Sequence, residues 1–91
     1  GSYKDGTYQG TATGFGGDIT VEVTIADGKI ADVEILSADK EDSAYLTMAK
    51  DIIPEIIDAQ SADVDTISGA TFSSTGIKNA TAQALEKGGA N

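Results

Sequence analysis

The stretch Ile19-Thr20-Val21-Glu22-Val23-Thr24-Ile25-Ala26-Asp27-Gly28-Lys29-Ile30-Ala31-Asp32-Val33-Glu34-Ile35 decides the fold. From Ile19 to Ile25 apolar and polar residues alternate with a period of two, the signature of a strand with one face buried and the other in water. Asp27-Gly28 then supplies residues that tolerate positive φ, and the apolar pattern resumes at Ile30, Val33 and Ile35, which predicts a tight hairpin. Upstream, Gly6, Gly10, Gly14, Gly16 and Gly17 punctuate short polar and aromatic runs. Three antiparallel strands are expected, near residues 7–14, 18–26 and 29–37.

Beyond the hairpin the period changes. Leu46, Ala49, Ile52, Ile53, Ile56 and Ile57 fall three or four apart and define one helical stripe, with Ser43 as a candidate cap. Pro54 cannot donate a backbone hydrogen bond, so it either kinks this helix or restarts it as a second short one ending near Ala59, and the restart is preferred. Residues 60–71 have no helical period and contain Ser61, Asp63, Asp65, Ser68 and Gly69, which marks an ordered loop, with a short strand expected around residues 64–67. Ile77, Ala80, Thr81, Ala84 and Leu85 form a last helical stripe, capped by Ser73 or Ser74 and ended by Gly88-Gly89. The chain therefore reads as α+β: a single two-layer domain over residues 1–91, with helices on one face of an antiparallel sheet of three or slightly more strands. Gly1-Ser2 reads as a cloning scar, so an export signal or lipid anchor is expected upstream in the natural protein.

Composition narrows the chemistry. With 15 acidic and 6 basic residues the net charge is −9, which repels nucleic acid and anionic lipid and mainly reflects a solvated surface rather than a cation site. There is no cysteine and no histidine, so thiolate nucleophiles, disulfides, iron–sulfur ligation, imidazole bases and ordinary zinc sites are excluded, and redox chemistry requires an organic cofactor. No apolar run approaches the ~20 residues of a membrane span. The carboxylates are scattered over polar strand faces and loops, which gives a carboxylate hydrolase little support.

The informative stretch is Asp65-Thr66-Ile67-Ser68-Gly69-Ala70-Thr71, followed by Phe72-Ser73-Ser74. A hydroxyl-rich loop of small residues opening into a helix places oxygens beside the donors and the partial positive charge of the helix's first turn, a place that suits a phosphate. By residue type alone the same stretch is also a turn followed by a capped helix, and capped helices far outnumber phosphate sites.

Asp65-x-x-Ser68-Gly69-Ala70-Thr71 resembles the flavinylation motif of the FMN-binding domain family, found in the C subunit of the sodium-pumping NADH:quinone oxidoreductase and the G subunit of the related Rnf complex. Asp5-Gly6-Thr7-Tyr8-x-Gly10-Thr11, Gly14-Phe15-Gly16-Gly17, Gly28-Lys29-Ile30-x-Asp32-Val33 and Ala59-Gln60-Ser61 are similar to further blocks of that family, in the same order. The resemblance implies an electron carrier that is not by itself an enzyme and sits in a larger oxidoreductase. It implies FMN on Thr71 through a phosphoester bond, installed by a separate flavin transferase that uses FAD and magnesium and releases AMP. It also implies a redox partner protein or domain, and an extracytoplasmic place in a longer membrane-anchored or secreted protein. By the same carry-over Asp65 and Ser68 belong to the surface the transferase reads, although Asp65 also suits a purely loop-holding role. Tyr8, Phe15, Tyr45, Leu46 and Phe72 are candidate walls for the flavin ring, each with ordinary packing as the competing reading. The family commonly carries a glycine-containing segment near Tyr45 and Leu46, which this chain lacks. The alternative function is an accessory binding domain that holds FMN non-covalently or not at all.

Overall fold

The computed structural model describes residues 3–14, 16–39 and 43–89; Gly1, Ser2 and the ring candidate Phe15 lie outside them. The described elements run β1 (Gly6–Thr13), β2 (Asp18–Ala26), β3 (Lys29–Ser37), α1 (Ser43–Ala49), α2 (Ile52–Ala59) and α3 (Thr71–Lys87). The strands pair antiparallel in the order β1-β2-β3, and the helices cover one face, so the α+β two-layer reading holds. The second and third strands end where the hydrophobic alternation ends, while β1 lies one residue earlier than expected.

Alternation explains the core. Ile19, Val21, Val23 and Ile25 of β2 are all buried, and their partners across β1 are Ala12, Gly10, Tyr8 and Gly6. On β3 the buried residues Ile30 and Val33 are three apart, which strict alternation forbids. The register shifts between Thr24 and Ile25, leaving Ala31 as an extra residue, so both side chains reach the core. A second shift between Thr20 and Val21 leaves Leu36 out of the pairing, and it projects as one of the exposed large apolar side chains.

The helical layer closes on this face. Ile52 and Ile56 from α2 and Ile77, Ala80, Ala84 and Leu85 from α3 are buried against the strands. Pro54 is tolerated because the chain restarts: Lys50 and Asp51 form a turn, and Pro54 falls at the third position of α2, where no intrahelical acceptor awaits its missing N–H. Ser43 does not precede α1 as a cap but is its first residue, and its carbonyl accepts a hydrogen bond from the Thr47 hydroxyl at 2.8 Å.

Two glutamines occupy the sheet's edges. Gln60 ends α2 in the left-handed region (φ 54°) and turns its amide onto β3: Ile30 N–H donates to its Oε1 at 2.7 Å, and its Nε2 donates to Ile30 O at 3.0 Å and Ile57 O at 2.7 Å. On the other edge Thr11 N–H of β1 donates to Gln83 Oε1 of α3 at 2.8 Å. The short strand expected around residues 64–67 does not form.

The tightest contact is between backbones. A Cβ at Gly10 would run into the carbonyl oxygen of Ala80, and one at Gly76 would lie 2.7 Å from Gly14 Cα and 2.8 Å from Ile19 Cδ1. The α3 stripe is built of small residues (Ser73, Ser74, Gly76, Ala80, Thr81, Ala84), so the helix settles directly onto β1 and β2. We expect Gly10→Ala to lower stability by about 3 kcal/mol, because a backbone obstacle cannot rotate away. A urea titration checks this; an unchanged midpoint would contradict the close approach.

Candidate functional site

The loop from Ile67 into α3 is a turn whose every residue has a stereochemical task. Ala70 N–H donates to Ile67 O at 3.0 Å, and Gly69 between them has φ 85°, the value that the third residue of a type II turn requires and that glycine adopts without strain. Ala70 follows as the N-cap residue, 4% exposed, and Thr71 is the first residue of the 17-residue helix α3. Ser68, Gly69 and Thr71 are exposed and Ala70 is buried, so Thr71 stands at the surface directly after three residues with small side chains.

The sequence suggested Ser73 or Ser74 as the cap of this helix. Both instead lie inside its first turn and are buried, and Ala70 caps without a side-chain hydrogen bond. The Ser74 hydroxyl accepts from Ile67 N–H at 3.1 Å and donates to Ala70 O at 2.8 Å, with Thr71 O at 3.1 Å. One buried hydroxyl thus ties the incoming strand of the loop to the helix start and fixes where Thr71 emerges.

A hollow of about 310 Å³ opens at this point, lined by Tyr45, Gly69, Ala70, Thr71, Phe72 and Ser73. Phe72 is 67% exposed and Tyr45 43% exposed, so aromatic faces meet water beside the threonine. The first turn of α3 carries no acidic residue, in a chain with 15 of them, which leaves the helix's positive end uncompensated from within that turn.

The other expected residues separate. Leu46 is half-buried and packs against the core rather than lining the hollow. Asp65 is exposed and lines a different depression, with Glu55, Asp58, Asp63 and Lys78. Tyr8 packs near Gly88, where a Cβ would lie 3.1 Å from its ring, and its hydroxyl donates to Lys4 O at 2.9 Å. That is the far end of α3, about 24 Å of helix away from Thr71, so Tyr8 is no wall of this site. Sequence reasoning missed Met48, whose terminal methyl rests on Gly69. The available signal was its place off the buried stripe of α1, three residues after Tyr45.

Ser74→Ala leaves the Ile67 N–H without its acceptor in a closed setting. We expect a stability loss of about 2 kcal/mol and faster amide hydrogen exchange at Ile67, read by denaturation and exchange measurements. Unchanged exchange at Ile67 would contradict the role given to that hydroxyl.

Comparison with known proteins places this geometry in a family. The profile described as "FMN-binding domain" matches residues 14–86. The chain is 33% identical over 90 residues to an NADH:acrylate oxidoreductase of Vibrio harveyi, covering 98% of this chain and 9% of that protein. It is 33% identical over 84 residues to an uncharacterized protein of Treponema pallidum (strain Nichols), covering 92% of this chain and 23% of that one. It is 29% identical over 85 residues to an NADH:fumarate oxidoreductase of Klebsiella pneumoniae (strain 342), covering 93% and 9%. The chain thus spans a quarter or less of the length of these relatives. The crystal structure of the CPE2226 protein from Clostridium perfringens shares the fold, with a TM-score of 0.70 at 24% identity over 96% of this chain and 89% of that one. With four-fifths of its length matched by the family profile, including the Ser68-Gly69-Ala70-Thr71 turn, the chain belongs to the FMN-binding domain family.

Proposed function

We propose that this domain carries FMN covalently on Thr71 and works as an electron-transfer module within a longer extracytoplasmic protein, membrane-anchored or secreted, rather than as a self-sufficient enzyme. The observation that carries the reading is the exposed Thr71 at the first position of α3, after a turn whose side chains are small.

The residues present fit the cofactor. Tyr45 and Phe72 offer apolar faces to a flat ring, and Gly69, which lines the same hollow, adds no side chain to it. The N-terminal end of α3 favours the negative charge that a phosphodiester at Thr71 keeps. In the attachment step the Thr71 oxygen forms a bond to phosphorus while the pyrophosphate bond of FAD breaks. AMP leaves with the bridging oxygen, and the hydroxyl proton passes to a base of the transferase or to water. Magnesium, held by the transferase, belongs to that partner. Asp65, which lines a different depression from Thr71, suits recognition by the transferase better than contact with the ring.

Bound flavin supplies the capacity to accept and release electrons, which none of this chain's side chains offers. The domain's own part is to hold the phosphate, seat the ring and leave one edge open to a redox partner. The relatives named as NADH:acrylate and NADH:fumarate oxidoreductases support a role as one segment in an internal electron path, since a segment like this one is 9% of each.

Coexpression with a flavin transferase, followed by intact-mass analysis, tests the reading. The wild type is expected to gain the mass of FMN less one water and to stay yellow after acid precipitation, and Thr71→Ala is expected to gain nothing. A bare wild type, an adduct that survives Thr71→Ala, or reversible uptake of free FMN in place of an adduct would each defeat covalent attachment at Thr71.

A further inference from the structure

The hollow beside Thr71 has walls from two different parts of the fold. Phe72 rises from α3, which is fixed to the sheet, whereas Tyr45 belongs to α1, a helix of seven residues in which Ala49 is the buried residue. A helix that short has no stability of its own, so its position is set by what it packs against. Met48 lies three residues after Tyr45 and therefore on the same side of α1. It is 42% exposed, yet its terminal carbon sits where a Cβ on Gly69 would approach to 2.8 Å. The thioether thus reaches from α1 to Gly69, which lines the hollow, in the turn that presents Thr71.

A methionine that is 42% exposed, on the same side of α1 as Tyr45 and in contact with the turn that delivers the attachment site, needs a reason other than core packing. Methionine's side chain is unbranched, flexible and polarizable, and it makes favourable contacts with aromatic rings. We propose that Met48 is a positioning residue for the flavin: it braces α1 against Gly69 and shields one edge of the ring carried on Thr71 from water. This inference rests on the covalent attachment proposed above and adds to it the residue that sets the ring's exposure. Because Met48 is itself half in solvent, its truncation opens the hollow beside Gly69 without removing core volume.

The test uses the flavin-loaded protein in three forms: wild type, Met48→Leu and Met48→Ala, each loaded through the transferase. Flavin content is expected to be the same in all three, because attachment is made at Thr71. The iodide quenching constant of flavin fluorescence is expected to rise about twofold in Met48→Ala and to stay near the wild-type value in Met48→Leu, which restores most of the apolar volume. The midpoint potential of Met48→Ala is expected to shift positive, since a charge gained on reduction is better solvated when water reaches the ring. Equal quenching and equal potential in fully loaded wild type and Met48→Ala would overturn the role of Met48 alone. A wild type that acquires no flavin would overturn it together with the covalent reading.

Discussion

Where the side chain of residue 10 would begin, the carbonyl oxygen of Ala80 already stands. This backbone-to-backbone contact between β1 and α3, repeated where Gly76 meets Gly14, sets the depth of the helix on the sheet and its position along it. Larger side chains would float the helix on a layer of flexible rotamers. Small ones let the backbone itself define the distance. Thr71 is the first residue of that helix, so its location is inherited from a contact that no side-chain rotation can relax.

Around this frame the functional end is finished by a few polar contacts. The Ser74 hydroxyl joins Ile67 to the helix start, and Gly69 supplies the one left-handed backbone conformation in the turn between them. The opposite end of α3 is tied down by the N-terminal segment, where Lys4 N–H donates to Gly88 O at 3.0 Å and Tyr3 N–H donates to Gly28 O at 3.3 Å. Asp5 Oδ1 accepts from Gly28 N–H at 2.9 Å, so the hairpin turn, the chain start and the helix end meet there. Exposed apolar surface gathers instead at the Thr71 end, in Tyr45, Met48 and Phe72. The division of labour is spatial: one end of the helix is anchored, and the other is open to chemistry.

Much of this was legible in the residues, and the misses have physical causes. Period-two alternation located β2 because one face of it is wholly buried, and the apolar residues Ile30, Val33 and Ile35 located β3 despite its irregular spacing. The break at Pro54 was readable because proline's missing donor admits few backbone solutions. The serines at 73 and 74 misled because a hydroxyl near a helix start satisfies the capping pattern whether it lies before the helix or within its first turn, and only the neighbouring backbone decides. The β3 bulges were invisible, since an extra residue in a strand leaves only a slipped alternation. Tyr8 lies at the other end of α3 and Asp65 lines a different depression, because strand register and local backbone direction, not chain distance, determine which side chains meet. Met48 lay outside the stripe that guided attention, and its contact with Gly69 is made between residues far apart in the chain.

The two glutamines on the sheet's borders have a consequence for how such a domain can be deployed. A three-stranded sheet ordinarily presents two rows of backbone donors and acceptors to any neighbouring extended chain, an invitation to uncontrolled association. Here Gln60 imitates a fourth strand against Ile30, and Gln83 occupies Thr11 from above. Each border thereby has one position, Ile30 on β3 and Thr11 on β1, that an outside chain could engage only by first displacing a side chain of the domain itself.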